Sequence, residues 1–295
     1  MRKFALVTPL RNEVSSIPRL FATMAAQSLA PHTWIIINDG SDDGSTAELE
    51  RYAKDYTSGE LIIQSSALGH QPYALGEKYA GVVQQGMELL RRRDDYADFI
   101  AVGINDADCF PSPDYFERLI CFLEDSPRLG ITSGLERMID NKSRPERLSW
   151  VRGNCRLWRR ECLDETGYPV GPSADTVSLC KARLMGWDAH VQPWAVFDAR
   201  PLGTRVNTEY YGRSAHYRGI GLCYALLKTA VDLARGRRQT ALGYLLGYFR
   251  AWKSGAEKIN DLQIRNYYRW YSLHLFRELP REWKLRGALR ARSEQ

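Results

Sequence analysis

The sequence predicts an α/β fold in which a mostly parallel central sheet is flanked by helices and followed by a C-terminal helical appendage. Short apolar, β-rich runs alternate with amphipathic helical stretches from Phe4 to Asp125, and such alternation builds right-handed βαβ units around a parallel sheet. Beyond about residue 205 only helical patterns remain. We therefore expect a sheet domain over residues 1–204 and a basic, aromatic-rich helical region over residues 205–295.

The predicted strands are short apolar runs bounded by turn-forming residues, which is typical of buried strands in a parallel sheet. The first four are Phe4–Val7, Trp34–Ile37, Leu61–Gln64 and Phe99–Ile104. Two later runs are also predicted as strands, Ile131–Arg137 and Leu148–Arg152.

The predicted helices place apolar residues three or four positions apart, so that one face of each can pack on the sheet. In the first of them this face is formed by Ile17, Leu20, Phe21 and Met24. The others are, in chain order, Ser45–Tyr56, Leu75–Leu90, Pro113–Asp125, Asp175–Met185, Gly219–Ala234, Ala241–Lys253 and Asp261–Leu275.

Length and composition are those of an ordinary globular protein. The 295 residues are 44% hydrophobic and 26% charged, which excludes disordered, collagen-like and coiled-coil chains. Six scattered cysteines form no C-x-x-C pair, so we predict neither a zinc framework nor a disulfide scaffold and expect a reducing cytoplasm. Arg11 to Glu13 end the first apolar run too early for a signal peptide. No run approaches the roughly 20 apolar residues that span a bilayer.

Charge is unevenly distributed along the chain. Residues 200–295 hold 19 Lys and Arg against 7 Asp and Glu, a net +12, whereas residues 1–199 hold 22 against 28, a net −6. The basic part also contains Trp252, Trp270 and Trp283. Basic and interfacial aromatic residues favour an anionic membrane surface, although a solvated helical face has the same composition. We expect a cytoplasmic protein, peripheral on the inner face of the plasma membrane, and no nucleic-acid partner, because no nucleic-acid module is recognisable.

Acidic side chains follow three of the predicted strands, where an α/β sheet binds its ligands. Asp106 and Asp108 lie one residue apart at a strand end and can hold one hard divalent cation, Mg²⁺ or Mn²⁺; a solvated turn or helix cap is the alternative. Asp39 can accept hydrogen bonds from a nucleobase or ribose, or serve as a turn residue. Glu13 follows the first strand. Such crowding of acids costs stability unless a cation or a donor-rich ligand joins them.

Four motifs in order give the chain a family resemblance. They are P-x-x-N-E at Pro9–Glu13, D-G-S-x-D at Asp39–Asp43, D-x-D at Asp106–Asp108, and D-T-x-x-L-x-x-x-R-x-x-G-W at Asp175–Trp187. This series, spread over roughly residues 4–200, resembles the family 2 glycosyltransferases, which have the nucleotide-sugar-binding, Rossmann-like fold called GT-A. The resemblance implies an inverting transfer of a sugar from a nucleotide-diphosphate sugar to a hydroxyl of a glycan or lipid-linked acceptor, with Mg²⁺ or Mn²⁺ as cofactor.

The resemblance also implies residue roles. The residues that would bind the nucleotide are Pro9, Arg11, Glu13, Asp39, Lys78 (near the phosphates) and Asp106. The metal would be held by Asp106 and Asp108, and Asp175 would be the catalytic base, its anion stabilised by the N-terminus of a predicted helix. The chain departs from the family pattern at Asn38 and Ala174, where Asp and Glu are usual, and at Asp198, where many members have His. Asp198 is either a third metal ligand or a structural residue.

Other interpretations remain open at this point. A nucleotidyltransferase also gathers metal-binding carboxylates on an α/β sheet, but the loop Pro9–Glu13 lacks the glycines that class normally needs. A non-catalytic nucleotide-binding module with a basic tail is a second alternative. Arg213 and His216 can close over a diphosphate, and Trp150 and Trp187 can stack on a sugar, or all four can be structural.

Overall fold

An eight-stranded mixed sheet is the centre of the first of two units of the chain. The computed structural model describes residues 2–68, 76–138, 147–200 and 208–275. The two units are Met1–Pro201 and Leu202–Gln295. The boundary predicted between residues 204 and 205 lies outside the described residues.

The strands of the sheet are β1 (Phe4–Leu10), β2 (Thr33–Asn38), β3 (Glu60–Ser65), β4 (Ala101–Asn105), β5 (Cys109–Pro111), β6 (Leu129–Met138), β7 (Cys155–Arg159) and β8 (Asp188–Ala199). Their order across the sheet is β3-β2-β1-β4-β7-β6-β8-β5. Four of the seven pairings between these described strands are parallel, so the expectation of a mostly parallel sheet is confirmed.

Strand direction decides which residues meet at the edge of the sheet. Because β1, β2 and β4 are parallel neighbours, their carboxyl ends lie at one edge. The next strand, β7, runs antiparallel to β4 and pairs Cys155 with Asn105. The start of β7 therefore lies beside the end of β4, and the residues just before Cys155 lie next to the D-x-D motif.

The core of the sheet is built from the alternating apolar runs seen in the sequence. Phe4, Leu6, Trp34 and Ile36 have no exposed surface, and they pack with the apolar faces of the helices. The Trp34 indole N–H donates to the hydroxyl of Thr8 over 2.9 Å, so the polar end of this buried ring is satisfied. A packed core of this kind holds the strand ends rigidly in place.

The helices of the first unit are α1 (Ile17–Ala25), α2 (Ser45–Ala53), α3 (Glu77–Arg91), α4 (Tyr115–Asp125), α5 (Arg160–Thr166) and α6 (Ala174–Leu184), with one 3₁₀ turn at Tyr96–Asp98. The helices of the second unit are α7 (Thr208–Arg218), α8 (Leu222–Ala234), α9 (Arg238–Lys253) and α10 (Leu262–Arg269). No helix in the described parts of the chain is both long and apolar enough to cross a membrane.

One predicted strand is wrong. Leu148–Arg152 contains a turn in which Trp150 N donates to Arg147 O over 2.9 Å, and the strand of this region, β7, begins at Cys155. The arginines of C-R-L-W-R concealed β7 from an apolar-run criterion. The sequence also gave no signal for β5, β8, α5 and α7. Leu75, the predicted start of the third helix, lies outside the described residues, and α3 begins at Glu77.

In the second unit, α7 and α9 touch backbone to backbone. A Cβ on Gly212 would lie 1.9 Å from the carbonyl oxygen of Tyr244, and one on Gly247 would lie 2.0 Å from that of Glu209. Any side chain at either position would push the helices apart, since real Cβ contacts are never so short. Glycine at these two positions therefore sets the spacing of the helix pair.

Candidate active site

The loops after β1 and β2 are tied together at the edge of the sheet. Asp39 N donates to the carbonyl oxygen of Leu10 over 2.8 Å, and Glu13 N donates to the hydroxyl of Ser45 over 3.0 Å. Asn12 takes a left-handed conformation with φ of 54°, which turns the chain between Pro9 and Glu13; Asn tolerates this region better than most residues. The two predicted nucleotide-binding loops are thus one connected structure.

Asp39 lies in a buried pocket of positive charge. Its Oδ2 is 2.8 Å from Lys78 Nζ and 3.4 Å from Arg11 Nη1. Lys78 and Asp39 are both buried. The other oxygen, Oδ1, is buried and has no hydrogen-bond partner among the described residues. Buried acceptors are normally satisfied, so Oδ1 suits a donor group from a ligand. The structure brings three predicted nucleotide-binding residues into direct contact.

The first turn of α3 links this pocket to the D-x-D motif. Lys78 reaches Asp39, and the next residue, Tyr79, donates its hydroxyl to Asp106 Oδ1 over 2.6 Å. Burial, and then the charge of Asp108, raise the pKa of Asp106 well above its usual value, while the Tyr79 hydrogen bond opposes that shift. Burial likewise raises the pKa of Tyr79 well above its usual value, so its hydroxyl keeps the proton it donates.

Glu13, Asp106 and Asp108 form an acidic group at the centre of the edge. Burial and then the charge of Glu13 raise the pKa of Asp108, as expected where carboxylates lie close enough to repel one another. Arg200 offsets part of the repulsion, because its Nη2 donates to Glu13 and lies 3.2 Å from Asp108 Oδ2. With Arg156, which acts on Asp106, two cations of the described residues face these three acids.

These residues fit a hard divalent cation. Carboxylate oxygens are the donors that Mg²⁺ and Mn²⁺ prefer, and the mutual repulsion of Asp106 and Asp108 is what such a cation relieves. In the described segments, however, no three Asp, Glu, His or Cys side chains are already gathered as a metal-binding cluster. A metal held by Asp106 and Asp108 would complete its coordination with oxygens of a ligand or water.

Asp198 is engaged elsewhere in this structure. Its carboxylate contacts Arg19 Nη2 at 2.7 Å and accepts from Arg137 Nε at 3.0 Å. The pairing of β5 with β8 places Asp198 opposite Phe110, and Arg19 stacks over that ring at 4.1 Å. The structure therefore gives Asp198 two ion pairs, and its assignment as a third metal ligand stays a prediction.

Asp175 lies beside the residues that precede β7. It belongs to the first turn of α6, and a Cβ on Gly153 would lie 2.9 Å from the Asp175 Cβ. The next residue, Asn154, accepts a hydrogen bond from Asp106 N over 2.7 Å. The backbone of Gly153 and Asn154 thus connects the surroundings of Asp175 to the D-x-D motif.

Arg156 is almost completely buried, and its charge interacts with those of Asp175 and Asp106. Its Nη1 donates to the carbonyl oxygen of Asp175 over 3.2 Å, and its guanidinium stacks over Trp158 at 4.2 Å. Within the part of the chain that the structure describes, Nε and Nη2 are buried without hydrogen-bond partners. Burial lowers the pKa of Arg156, while the charges of Asp175 and Asp106 oppose that effect. Arg156 is therefore a buried cation that faces two of the predicted functional acids.

Three of these residues were missed by sequence reasoning: Tyr79, Arg156 and Arg200. Tyr79 adjoins the predicted Lys78, and that adjacency was the one available signal. Arg156 lies in an unrecognised strand, and Arg200 makes its contacts with residues more than 90 positions away. No local pattern could have revealed those pairings.

The remaining candidates are the residues predicted to contact a sugar or a diphosphate. Trp187 donates its indole N–H to Glu165 over 2.8 Å. His216 is buried within the second unit, edge-on to Tyr248 with a ring separation of 5.8 Å, and burial lowers its pKa. Among the described residues no contact assigns Trp150 or Arg213 to a sugar or a diphosphate site, so these roles stay predictions.

Comparison with known proteins places this arrangement in a family. The glycosyl transferase family 2 model matches residues 5–185, and no curated protein matches. The S. aureus TarS structure (residues 1–349) superposes with a TM-score of 0.54 at 14% identity, covering 85% of this chain and 72% of that one. The mannosyltransferase PcManGT from Pyrobaculum calidifontis, solved with GDP-Man and Mn²⁺, gives 0.54 at 17% identity, covering 98% and 85%.

The family match spans more than half of the chain and includes β1, β2, β4, the D-x-D motif and the start of α6. The fold similarity agrees with it, and the central curled sheet flanked by helices is the GT-A arrangement that the motifs predicted. The chain belongs to glycosyl transferase family 2 and has the GT-A fold.

Proposed function

We propose that this glycosyltransferase moves a sugar from a nucleotide-diphosphate sugar to a hydroxyl acceptor with inversion at the anomeric carbon. The observation that carries the proposal is a continuous set of contacts, from Asp39 through Lys78 and Tyr79 to Asp106. Asp175 lies on the other side of the backbone of Gly153 and Asn154. A nucleoside site, a diphosphate site and a base are then adjacent at one edge of the sheet, where such ligands bind.

The donor occupies the pocket around Asp39. Oδ1, which has no partner in the described segments, accepts a hydrogen bond from the base or the ribose, and Lys78 and Arg11 supply positive charge beside it. Solved relatives of the same fold support a nucleotide-sugar donor, because TarS was solved with UDP and with UDP-GlcNAc and PcManGT with GDP-Man.

Asp106 and Asp108 would hold Mg²⁺ or Mn²⁺ at the leaving diphosphate. When bound, the cation neutralises the charge that develops on the leaving group. PcManGT was solved with Mn²⁺, which supports the proposal. Tyr79 fixes the orientation of the Asp106 carboxylate through its 2.6 Å hydrogen bond.

Asp175 acts as the general base. A sugar hydroxyl is a weak nucleophile and must lose its proton as it attacks, and a carboxylate at the start of α6 is suited to take it. Attack from the face opposite the leaving group gives inversion. Arg156 keeps the Asp175 backbone in place through its hydrogen bond to the carbonyl oxygen.

The acceptor is a glycan or a lipid-linked saccharide, and the protein works at the cytoplasmic face of an anionic membrane. The net charge of +12 over residues 200–295 supports this placement, since basic segments are attracted to anionic lipid headgroups.

The test starts with a thermal-shift screen of UDP-, GDP-, dTDP- and ADP-sugars with Mn²⁺, because a ligand that binds the native state raises its apparent stability.

Asp175→Asn is then compared with Asp125→Asn, a control at an exposed position at the end of α4. We expect Asp175→Asn to bind the selected donor normally and to lose about 10²–10⁴-fold in turnover. Turnover close to wild type would exclude Asp175 as the base. Binding without turnover in the wild type would favour a non-catalytic module.

A further inference from the structure

Helix α8 buries polar residues and exposes apolar ones, which is the reverse of an ordinary surface helix. Its buried residues include Thr229 and Asp232, and Asp232 pairs with Lys228 at 2.5 Å. Its exposed residues are all apolar or weakly polar: Leu222, Cys223, Leu226, Leu227, Ala230, Val231, Leu233 and Ala234. At 100° per residue these eight positions occupy one half of the helix surface. We call this set the α8 apolar face.

The exposure of the α8 apolar face is large. Leu226 and Leu227 are 45% and 58% exposed, and Leu222 and Leu233 are each 42% exposed. A surface helix of a water-soluble domain normally shows the reverse pattern, with apolar residues inward and polar residues outward. A contiguous exposed apolar surface of this kind marks an interaction site.

Positive charge lies directly beside this face. Arg235, Arg237 and Arg238 follow the last residue of α8 and are all exposed. Asp232 offsets part of this charge, because its carboxylate pairs with Lys228 at 2.5 Å and with Arg237 at 3.6 Å. One carboxylate against Lys228 and the three arginines still leaves a net charge of +3. We call these three residues the arginine cluster.

The positive charge of the arginine cluster indicates what binds the α8 apolar face. A second copy of this chain would present the same α8 apolar face, which contains no acidic residue to pair with the arginine cluster. An anionic bilayer surface attracts the arginines and accepts the leucines, which is the pattern of interfacial helices. Long arginine side chains at a helix end extend to the headgroups while the apolar face is immersed.

We propose that α8 is the membrane-binding element of the protein, lying in the plane of an anionic lipid surface with the α8 apolar face immersed and the arginine cluster at the headgroups. This deepens the proposed function, because it identifies the surface that would bring the enzyme to a lipid-linked acceptor.

The first test is sedimentation of the full chain with vesicles of phosphatidylcholine mixed with phosphatidylglycerol, and with vesicles of phosphatidylcholine alone. We expect binding to the anionic vesicles and little to the neutral ones. Replacing Arg235, Arg237 and Arg238 by Gln should lower the partition coefficient roughly 100-fold, at about five-fold for each charge. Leu226→Gln with Leu227→Gln should lower it at least about ten-fold, whereas Val170→Gln, at a 55% exposed position of the first unit, should leave it unchanged.

A fluorescent label gives a second readout that does not depend on a destabilising substitution. All six cysteines lie in described segments, and Cys223, on the α8 apolar face, is the exposed one. An environment-sensitive probe on Cys223 should shift to the blue with anionic vesicles and be quenched by lipids that carry a quencher in the acyl region. A probe that stays in water while the protein sediments would overturn the assignment to α8.

Two further outcomes separate this proposal from its alternatives. A concentration-dependent dimer that Leu226→Gln with Leu227→Gln abolishes would mean that a second copy covers the face, and would overturn the proposal. Turnover on a soluble acceptor should be the same in these variants as in the wild type. Variants that lose vesicle binding but keep wild-type turnover would therefore support the role of α8 in membrane binding. Absence of turnover in the wild type and in all variants would contradict the proposed function and would leave the vesicle-binding result unaffected.

Discussion

Replacing Lys78 by Met tests the nucleoside pocket most severely. The lysine ammonium lies 2.8 Å from Asp39 Oδ2, and the Lys78 and Asp39 side chains are only 4% and 7% exposed. Met fills a similar volume without charge, so the substitution leaves the Asp39 carboxylate buried, with Arg11 at 3.4 Å as its remaining cationic neighbour among the described residues. An uncompensated buried charge is costly because water cannot solvate it.

Breaking a buried ion pair from one side costs about 3–5 kcal/mol, and Arg11 keeps the expected value near the lower end, about 3 kcal/mol. For a domain of this size that loss lowers the Tm by about 6–12 °C. Adding Asp39→Asn to Lys78→Met removes the orphaned charge and should recover most of the loss. Affinity for the nucleotide should fall in both variants, because both alter the pocket that receives it.

Urea unfolding followed by tryptophan fluorescence measures these changes. The matched control is Arg51→Met, which breaks the Arg51–Glu48 pair on α2, where Arg51 is 71% exposed. Exposed pairs of this kind contribute under about 0.5 kcal/mol. If Lys78→Met destabilised the protein no more than Arg51→Met, the buried pair would not exist as described and the nucleoside pocket would need another explanation.

Three further predictions concern the acids and their partners. Tyr79→Phe should cost about 1.5–3 kcal/mol in urea unfolding, because it removes a hydrogen bond to a buried carboxylate; a loss below about 0.5 kcal/mol would contradict that bond. Arg156→Lys keeps the charge but not the planar donor fork, so kcat should fall about ten-fold or more with the donor KM unchanged; an unchanged kcat would remove Arg156 as a positioning residue for Asp175. Burial raises the pKa of Asp106 and of Asp108 above the ordinary 3.8, so the stability tied to these carboxyls is fully present below that pH and is lost as the pH rises through their folded values. Without metal, Asp106→Asn with Asp108→Asn should therefore gain stability over wild type between acidic and neutral pH in paired urea titrations, and a constant difference would refute the raised values.

Sequence patterns predicted the parts of the fold that depend on local periodicity. The apolar runs identified β1 to β4 and the helical stripes identified α1, α3 and α4, because burial on a known face leaves a repeating signature. The same criterion failed at β7, where a buried arginine sits in the middle of the strand. It also mistook the apolar residues of Leu148–Arg152 for a strand, although this segment contains a turn and no strand.

The site was predictable where its residues follow strand ends and unpredictable where it depends on long-range pairing. Topology alone brings Asp39 and Asp106 to one edge, since β1, β2 and β4 are parallel neighbours. The contacts of Arg200 with Glu13 and of Arg19 with Asp198 join residues nearly 180 or more positions apart. For α8 the helix was predicted correctly, but periodicity does not reveal which face the protein leaves exposed.

The central claim is that Asp106 and Asp108 hold the cation that binds the donor diphosphate. It is tested most directly by calorimetric titration of the selected nucleotide-sugar into wild type and into Asp106→Asn with Asp108→Asn, each with and without Mn²⁺. We expect Mn²⁺ to tighten donor binding at least about ten-fold in the wild type and to have no effect in the double variant. Equal tightening by Mn²⁺ in both proteins would contradict the account.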